Sequence, residues 1–428
     1  MIASLMLLSC VACNGESTAE TKGTESAEVE MTDNKVNNET EAQSKTEETT
    51  AVETESANVD TATETDEIDT KETESSAEVN LENAYPENNS TITLANDEVY
   101  EWWSTFHFKK TNSKPYYRHE DIYYPNAVTF SWEANEKAAY YRLYLSTDEG
   151  FAADKTESYL VNSNSLTLSH LHTGTKYYWF VIGTEISENG GEINTKAVST
   201  RSFTTAASPR CLEIEGVSNT RDIGGLAAAE GYRIKQGMIY RGGKLEDITE
   251  AGRDFFLNYL NLKTDLDLRT PGEGGAGTVS PLGEELNYFN IDGRYYVGSK
   301  GISNEEGKAL FAQEIRLFAD PDNYPIYIHC SLGRDRTGTL AFVIEALLGV
   351  GRNDLMMDYE LSVFSVTGTL DNANIADIRS NIQATYDYIN GSFSGKNLAE
   401  KTEKYLLSIG ITAEEIQTIR DILLEEVK

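Results

Sequence analysis

Residues 329–338 read His329-Cys330-Ser331-Leu332-Gly333-Arg334-Asp335-Arg336-Thr337-Gly338, and this stretch decides the fold of the second half of the chain. An apolar run at 324–328 comes before it, and a helix-like segment at 337–350 comes after it. A strand, a tight loop and a helix in this order aim backbone N–H groups and a helix N-terminus at one point. The pattern therefore predicts a pocket for a phosphate dianion.

Cys330 and Arg336 supply the chemistry that such a pocket needs. The loop amides and the helix end stabilise negative charge, so we expect Cys330 to be a thiolate. The planar guanidinium of Arg336 can bind two phosphate oxygens at once. The pair predicts a phosphatase that works through a phosphocysteine intermediate; the alternative is a buried structural cysteine.

The loop resembles that of the cysteine-dependent protein tyrosine phosphatase superfamily. It is most similar to the bacterial secreted tyrosine/lipid phosphatase family, whose loop reads His-Cys-x-x-Gly-Lys-Asp-Arg-Thr-Gly. Arg334 replaces the Lys of that family, which keeps the charge but changes its shape. Gly242 replaces a Ser in a second matching segment. In chain order, the segments that match outside the loop are 218–225, 240–245, 265–269 and 405–424.

The resemblance implies a role for each residue of the site. Cys330 is the nucleophile, and Arg336 holds the phosphate with the loop amides. The other phosphate-binding residues of the loop are Ser331, Leu332, Gly333, Arg334 and Thr337. We expect supporting roles, in ion pairs or in orienting the loop, for His329, Arg221, Asp222, Asp267 and Arg269.

Two aspartates are candidates for the general acid that protonates the leaving group. Asp335 lies inside the loop, and the resemblance implies that the loop Asp of the family takes part. Asp292 follows the preceding strand, where the superfamily often carries a mobile acid loop. Asp335 is preferred, and both stay candidates at this point.

No cofactor or metal is expected. Of the five histidines, only His170 and His172 are close in sequence, and neither a cysteine nor a carboxylate cluster accompanies them. Outside the N-terminal segment only Cys211 and Cys330 remain, which excludes a disulfide framework. A bridge between these two would inactivate the enzyme reversibly, and it is a minor alternative to free thiols.

The first 13 residues resemble a bacterial lipoprotein signal: a short apolar run ends in small residues and Cys. Cys13 is the expected lipid attachment site, and Cys10 is the alternative. Residues 14–84 contain no aromatic residue, and 14–80 carry 20 Asp and Glu against 4 Lys. Such a segment cannot bury enough apolar surface to fold, so we expect a disordered acidic tether.

The location that follows is extracytoplasmic, either lipid-anchored to the cell membrane or secreted. The net charge of −34 argues against nucleic acid as a partner. Contact with a membrane is expected only through the lipid anchor.

Residues 85–206 show short runs that alternate apolar and polar positions, such as 128–132, 139–146 and 165–168. With strands at 171–182 and 199–205, this pattern predicts an antiparallel β-sandwich. The segment resembles a fibronectin type III domain, in which Tyr177 would pin the crossover. The Trp- and Tyr-rich insertion at 99–125 is expected to pack on the sandwich edge or the neighbouring domain rather than to bind a ligand. The ligand of the sandwich is unknown.

Residues 208–428 alternate β-type and helix-type segments, which predicts an α/β domain with a mostly parallel sheet and helices on both faces. Strands are expected at 238–240, 264–268 and 324–328. The expected helices are 249–259, 304–319, 336–348, 375–389, 399–408 and 413–426. Residues 360–391 are interpreted as a helical lid.

The function predicted is phosphomonoester hydrolysis, with phosphotyrosine protein as the main substrate and phosphoinositides as a second class. One alternative is a phytase-like inositol polyphosphate phosphatase on the same fold. The other is a non-catalytic protein that binds phosphate or acts as an adhesin through its sandwich.

Overall fold

The computed structural model describes residues 78–108, 123–195, 197, 199–293, 296–298, 301–365 and 372–427. The predicted signal with Cys10 and Cys13, nearly all of the tether, and residues 109–122 of the insertion lie outside these ranges. Within them, we find no helix with the length and apolar character that crossing a membrane requires.

Residues 85–206 form two sheets around one core. The larger sheet has the order β1 (Ser90–Ile92), β8 (Arg201–Thr205), β6 (Lys176–Ile186), β3 (Tyr140–Ser146) and β4 (Thr156–Val161), with β7 (Glu192–Asn194) paired to β6. The smaller sheet pairs β2 (Val128–Ser131) with β5 (Ser165–Leu168). Phe130 of one sheet meets Trp179 of the other edge-on, with ring centroids 5.2 Å apart.

Most of the expected antiparallel sandwich is present, with three differences. Strand β1 lies parallel to β8. Parallel strands need a long connection, and the rest of the sandwich lies between these two strands in the chain. The strand predicted from 171 begins only at Lys176, because Gly174 has a φ of +56°. Strands β4 and β7 were not predicted, since both are largely exposed and have little apolar pattern. Tyr177 does pin the crossover: its hydroxyl accepts a hydrogen bond from the backbone N–H of His172 at 2.9 Å.

The described part of the insertion packs on the neighbouring α/β domain. It forms helix α1 (Asp97–Thr105), whose first turn is capped by the side chain of Asn96. Trp102, Phe106 and Tyr123 are buried in the same core as the helices that follow the phosphate loop. The packing prediction is confirmed for these residues.

The α/β domain contains a six-stranded sheet. Its order is β14 (Asn287–Asn290), β13 (Thr264–Asp267), β15 (Ile326–His329), β12 (Ile239–Gly242), β10 (Arg221–Asp222) and β9 (Arg210–Cys211). The first four strands are parallel, and β10 and β9 are antiparallel to their neighbours. The sheet is therefore mostly parallel, as predicted.

Helices lie on both faces of this sheet, but unequally. The face with Ile326 and Ile328 packs against the large core that most of the helices share, whereas Tyr327 faces a smaller core with Phe256. The short helix α2 (Glu250–Asp254) continues into one π-helical turn, Phe255–Tyr259, on the second face. The other helices are α3 (Glu305–Arg316), α4 (Asp335–Leu348), α5 (Arg352–Leu361), α6 (Asn372–Ser392), α7 (Leu398–Ser408) and α8 (Ala413–Leu423).

One predicted helix is too long, and one helix was not predicted. The last helix, expected to reach 426, ends at Leu423; Leu424–Glu426 form strand β16, which pairs antiparallel with Tyr232–Ile234 (β11). Helix α5 was not predicted. It begins after Gly351 and is buried along most of its length, so its sequence lacks the amphipathic period that marks a surface helix. The region interpreted as a lid falls partly outside the described residues.

Candidate active site

The phosphate loop, residues 330–336, connects the carboxyl end of β15 to helix α4. Gly333 has a φ of +67°, and a Cβ atom at this position would collide with the carbonyl of Gly242 on β12. Gly242 itself leaves no room for a side chain, because a Cβ there would collide with the hydroxyl of Tyr327. The loop thus lies directly on the backbone of the neighbouring strand.

Hydrogen bonds from behind fix the carbonyl groups of the loop. Asn219 Nδ2 donates to the carbonyl oxygen of Leu332 at 2.9 Å. Arg241 Nη2 donates to the carbonyl oxygens of Gly333 at 2.9 Å and Arg334 at 3.4 Å. In a trans peptide the N–H points opposite to the C=O. The amide groups that follow these three carbonyls therefore point to the other side of the loop, where a phosphate would bind.

The Cys330 side chain is buried beside the first turn of α4. Burial alone would raise the pKa of its thiol. The side chain and backbone N–H of Thr337, the charge of Arg336 and the backbone N–H of Leu332 outweigh burial, and the pKa of Cys330 is lowered. Because the thiolate is the nucleophilic form, this environment suits attack on phosphorus.

Arg336 is paired with Glu273, a residue that the sequence did not single out. Its Nη1 lies 2.8 Å from Glu273 Oε2 and its Nη2 lies 2.6 Å from Glu273 Oε1. The hydroxyl of Ser331 donates to the same carboxylate at 2.9 Å. The hydrogen bonds from Arg336 lower the pKa of Glu273 to about 2, so the pair stays charged throughout the neutral range.

Asp335 lies in the loop, and its carboxylate accepts four hydrogen bonds from neighbouring side chains. Nε and Nη2 of Arg334 each donate to it at 3.0 Å, and the hydroxyl groups of Tyr359, at 2.9 Å, and Tyr296 also donate. Burial works against ionisation, yet these donors lower the pKa of Asp335. An acid catalyst needs its proton at working pH, and this environment favours the ionised form.

Asp292 follows β14, at the same sheet edge from which Cys330 emerges. Its Oδ1 accepts a hydrogen bond from the hydroxyl of Thr270 at 2.9 Å, and its side chain is partly exposed. Gly293 follows it. Of the tyrosines near this edge, Tyr288 donates to Asp267 at 3.1 Å, and Tyr295 lies outside the described residues.

Four of the five predicted supporting residues lie behind the loop in two buried groups, and the fifth, Asp222, lies in a separate ion pair. In the first, His329 Nε2 lies 2.9 Å from Asp265 Oδ1, away from the phosphate side. Burial disfavours a charged imidazole, but Asp265 raises the pKa of His329 above its ordinary value. Asp267 accepts hydrogen bonds from Nε and Nη2 of Arg269, at 2.9 and 2.7 Å. This group orients the end of the strand that delivers Cys330.

The second group centres on Asp358 of helix α5. Arg221 Nε donates to Asp358 at 2.7 Å, and Arg241 Nη1 donates to its other oxygen. Glu345 is fully buried beside them, and burial together with Asp358 raises its pKa well above the ordinary value. Asp222 belongs to a separate pair with Arg210, at 2.6 Å.

Sequence reasoning missed four residues that contact or support the loop: Asn219, Arg241, Glu273 and Asp358. Asn219 and Arg241 lie in the segments 218–225 and 240–245 that resemble the family, so the sequence did contain a signal for these two. Glu273 stands among glycines, and Asp358 lies in the helix that was not predicted, so neither had a pattern of its own.

The two remaining cysteines are free. Cys211 lies on β9, three strand positions away from β15, which at about 4.8 Å per strand is roughly 14 Å. A disulfide requires Cα atoms within about 7 Å, so the Cys211–Cys330 bridge is excluded. In the part of the chain that the structure describes, no group of three or more His, Cys, Asp or Glu residues could hold a metal ion.

Comparisons with known proteins agree with this geometry. Residues 212–425, half of the chain, match the model of the tyrosine phosphatase family. A protein of Cupriavidus necator named as a tyrosine-protein phosphatase is 28% identical over 171 residues, which are 35% of this chain and 61% of that protein. The tyrosine-protein phosphatase of Nostoc commune is 25% identical over 264 residues, 53% of this chain and 88% of that protein.

Solved structures match parts of the chain. The core catalytic domain of the yeast PP-IP phosphatase Siw14 is 20% identical, with a TM-score of 0.24, and covers 37% of this chain and 92% of its own. A fibronectin type III-like protein from Clostridium thermocellum is 26% identical, with a TM-score of 0.16, and covers 19% and 77%. The expected resemblance to tyrosine phosphatases is confirmed by the family match, whereas the fibronectin type III assignment stays a prediction.

Proposed function

Because this chain belongs to the tyrosine phosphatase family, we propose that it hydrolyses phosphomonoesters through a phosphocysteine intermediate. The observation that carries the proposal is the environment of Cys330. Its thiol has a lowered pKa and lies in a loop whose amide groups and Arg336 face one site. A structural cysteine needs neither feature.

In the first step, the Cys330 thiolate attacks phosphorus. An S–P bond forms, the P–O bond to the alcohol or phenol breaks, and the departing oxygen receives a proton from the general acid. The three equatorial oxygens carry the charge of the transition state. The loop amides and Arg336, held in its plane by Glu273, stabilise that charge.

In the second step, water attacks the phosphocysteine. The S–P bond breaks, inorganic phosphate forms, and the water proton passes to the carboxylate that acted as acid before. The hydroxyl of Thr337, buried beside the sulfur, stabilises the departing thiolate.

We assign the general acid to Asp292 rather than to Asp335. Asp335 receives two hydrogen bonds from Arg334 and two from tyrosine hydroxyls, and its lowered pKa keeps it ionised. Asp292 is partly exposed at the sheet edge beside the loop, where a leaving group can reach it.

The substrate class we propose is phosphotyrosine in proteins, with phosphoinositides as a second class. An unpaired Arg334 would attract a polyphosphorylated headgroup. Its guanidinium is instead paired with Asp335 at 3.0 Å through two nitrogens, so the extra cation is largely neutralised. This pairing favours a substrate with one phosphate over a phytate-like one.

We also propose that the protein acts outside the cytoplasm, anchored by a lipid on Cys13 and extended by its acidic tether, or secreted. The support is the sequence of residues 1–84 alone: an apolar run that ends at Cys, followed by a segment rich in Thr, Ser and Glu. Radiolabelled palmitate incorporation, compared between wild type and Cys13→Ala, tests the anchor. Label that persists in Cys13→Ala but disappears in Cys10→Ala would move the site to Cys10.

Phosphate release by the full chain, wild type against Cys330→Ser, tests the catalytic proposal. The substrates are a phosphotyrosine peptide, a phosphoserine peptide, phosphoinositide vesicles and phytate. We expect release from the phosphotyrosine peptide that Cys330→Ser abolishes, with phosphopeptide binding retained. Preferred release from phytate would favour the phytase-like alternative. Binding without release by the reduced wild-type protein would identify a non-catalytic phosphate-binding protein.

A further inference from the structure

Residues 99–108 of the aromatic insertion pack on helix α5 of the phosphatase domain and on the turn that follows it. The ring of Trp102 meets that of Phe364 edge-on at 5.1 Å, directly after α5. Beyond the end of α1, the backbone N–H of Phe108 donates to Asn353 Oδ1 at 3.3 Å, and the guanidinium of Arg352 lies 4.1 Å above the Phe108 ring. The insertion thus holds the helix that carries Asp358.

A second contact of the insertion lies closer to the phosphate loop. Tyr123 is 1% exposed, and its hydroxyl donates to the carbonyl oxygen of Thr220 at 3.1 Å. The hydroxyl oxygen of Tyr123 in turn accepts a hydrogen bond from Nη1 of Arg221 at 3.4 Å. A residue of the N-terminal domain therefore shares a buried arginine with the phosphatase domain.

Arg221 also contacts Asn219, which in turn contacts the phosphate loop. Its Nη1 donates to Asn219 Oδ1 at 2.7 Å, and Asn219 Nδ2 donates to the carbonyl oxygen of Leu332 at 2.9 Å. Asn219 has a φ of +59°, and Ser365 and Ser362 hold its backbone and side chain. Three hydrogen bonds in series thus connect Tyr123 to the phosphate loop.

The carbonyl at the end of this series decides where one loop amide points. The peptide that joins Leu332 to Gly333 is trans, so its N–H is aimed opposite to the carbonyl that Asn219 holds. That N–H faces the phosphate side. If Arg221 loses a partner, Asn219 loses orientation, and the amide of Gly333 is no longer fixed toward a phosphate oxygen.

We propose that Tyr123 is a positioning residue of the phosphatase site, supplied by the N-terminal domain, so that the insertion and the phosphatase domain form one catalytic unit. The inference rests on the proposed phosphatase function for its effect on turnover. Its effect on phosphate binding and on the reactivity of Cys330 does not depend on turnover.

The test compares Tyr123→Phe with wild type in the full chain. This change removes one hydroxyl and keeps the buried ring. The matched control is Tyr100→Phe, in helix α1 of the same insertion, whose ring packs on Trp103 at 5.6 Å. Three quantities are measured: the dissociation constant of inorganic phosphate, the pH profile of Cys330 alkylation by iodoacetamide, and kcat and KM on an aryl phosphate.

We expect phosphate binding by Tyr123→Phe to weaken by roughly 3- to 10-fold, as for the loss of one hydrogen bond of ordinary strength. The alkylation profile should shift to higher pH, kcat/KM should fall by a similar factor, and Tyr100→Phe should match wild type. Trp102→Phe, which loosens the packing on Phe364 but leaves the hydroxyl of Tyr123 in place, should change all three quantities in the same direction and by less.

The proposal is overturned if Tyr123→Phe binds phosphate and is alkylated as wild type, because Tyr123 would then support only the fold. It is equally overturned if Tyr100→Phe shows the same losses. If wild type binds phosphate but releases none from any ester, the proposed function fails, while the comparison of phosphate affinities still decides the role of Tyr123. Should Tyr123→Phe not fold, Trp102→Phe decides: unchanged phosphate binding would contradict the proposal.

Discussion

The carboxylate of Glu273 meets the guanidinium of Arg336 end-on, with 2.8 Å between Oε2 and Nη1 and 2.6 Å between Oε1 and Nη2. The contact uses the two terminal nitrogens of Arg336, and Nη1 also donates to the carbonyl oxygen of Leu268 at 3.3 Å. A flexible arginine held in this way needs less ordering when substrate binds, since its rotamers are already restricted.

Replacement of Glu273 by Gln should therefore weaken catalysis. We expect kcat/KM to fall by about 10-fold, or about 1.4 kcal/mol of transition-state stabilisation, because the charged pair that orients Arg336 is lost. Steady-state kinetics on an aryl phosphate measure this. A rise in phosphate affinity in Glu273→Gln would contradict the prediction and would show that Glu273 competes with substrate for Arg336.

Thr337→Val should shift the reactivity of Cys330 to higher pH. The hydroxyl of Thr337 is one of the groups that lower the pKa of the thiol against the opposing effect of burial. Without it less thiolate is present at neutral pH, so alkylation by iodoacetamide should slow there and recover at alkaline pH. The control is Thr339→Val, two residues further along α4. The hydroxyl of Thr339 donates to the carbonyl oxygen of Asp335 at 2.9 Å. An unchanged profile in Thr337→Val would show that Arg336 and the amides suffice.

The two candidate acids should separate on substrates with different leaving groups. Asp292→Asn should lower kcat much more for an alkyl phosphate than for an activated aryl phosphate, because only the poor leaving group needs a proton. Asp335→Asn should affect both substrates alike, since it frees Arg334 and disturbs the loop. The ratio of the two kcat values decides, and a leaving-group effect confined to Asp335→Asn would return the acid role to that residue.

Acid should destabilise the contact between the two folded domains. His170 is 6% exposed, its ring packs on Phe255 at 4.7 Å, and burial lowers its pKa to about 4. The unfolded chain binds a proton near the ordinary value of 6.5, whereas the folded chain does so only near 4. Stability is therefore complete above 6.5 and is lost as the pH falls from 6.5 towards 4, by on the order of 2–3 kcal/mol.

Urea unfolding across that pH range measures the loss. His170→Asn, which tolerates the φ of +65° and does not titrate there, should flatten the dependence on pH. His172, whose pKa burial lowers to about 3, should add to the same dependence on pH, so part of the dependence should persist in His170→Asn. An equal pH dependence in wild type and His170→Asn would assign the loss to other groups.

Glu345 and Asp358 should respond differently to removal of their charge. Burial and Asp358 keep Glu345 protonated, so Glu345→Gln should change the free energy of unfolding by less than about 1 kcal/mol. Asp358 neutralises both Arg221 and Arg241, and Asp358→Asn should cost about 3–5 kcal/mol because two buried charges lose their partner. Urea unfolding at neutral pH measures both; a large cost for Glu345→Gln would show that Glu345 is ionised.

The sequence was sufficient for the parts of the site that are close together along the chain. Cys330 and Arg336 share one loop, and the strand before them and the helix after them follow from the local pattern. The groups that hold the loop come from far away: Asn219 is 113 residues from Leu332, and Arg241 is 92 residues from Gly333. No local pattern encodes such distances, so these residues had no predicted role.

The two misassigned elements have different causes. The helix predicted to reach 426 stops at Leu423 because the next three residues pair with Tyr232–Ile234, about 190 positions earlier. A pairing partner so remote cannot be read from the helical period of 413–423. Helix α5 escaped prediction for the opposite reason, since burial on most sides removes the polar stripe that would mark it.

Gly242 and Tyr327 occupy the same small space between two parallel strands. The hydroxyl of Tyr327 donates to the carbonyl oxygen of Gly243 at 2.7 Å and fills the volume that a side chain at 242 would need. We therefore expect the two positions to vary together: relatives with Ser where this chain has Gly242 should carry a residue smaller than Tyr at the position of Tyr327. Covariation between positions 242 and 327 in related sequences would show that packing below the catalytic loop constrains both positions together.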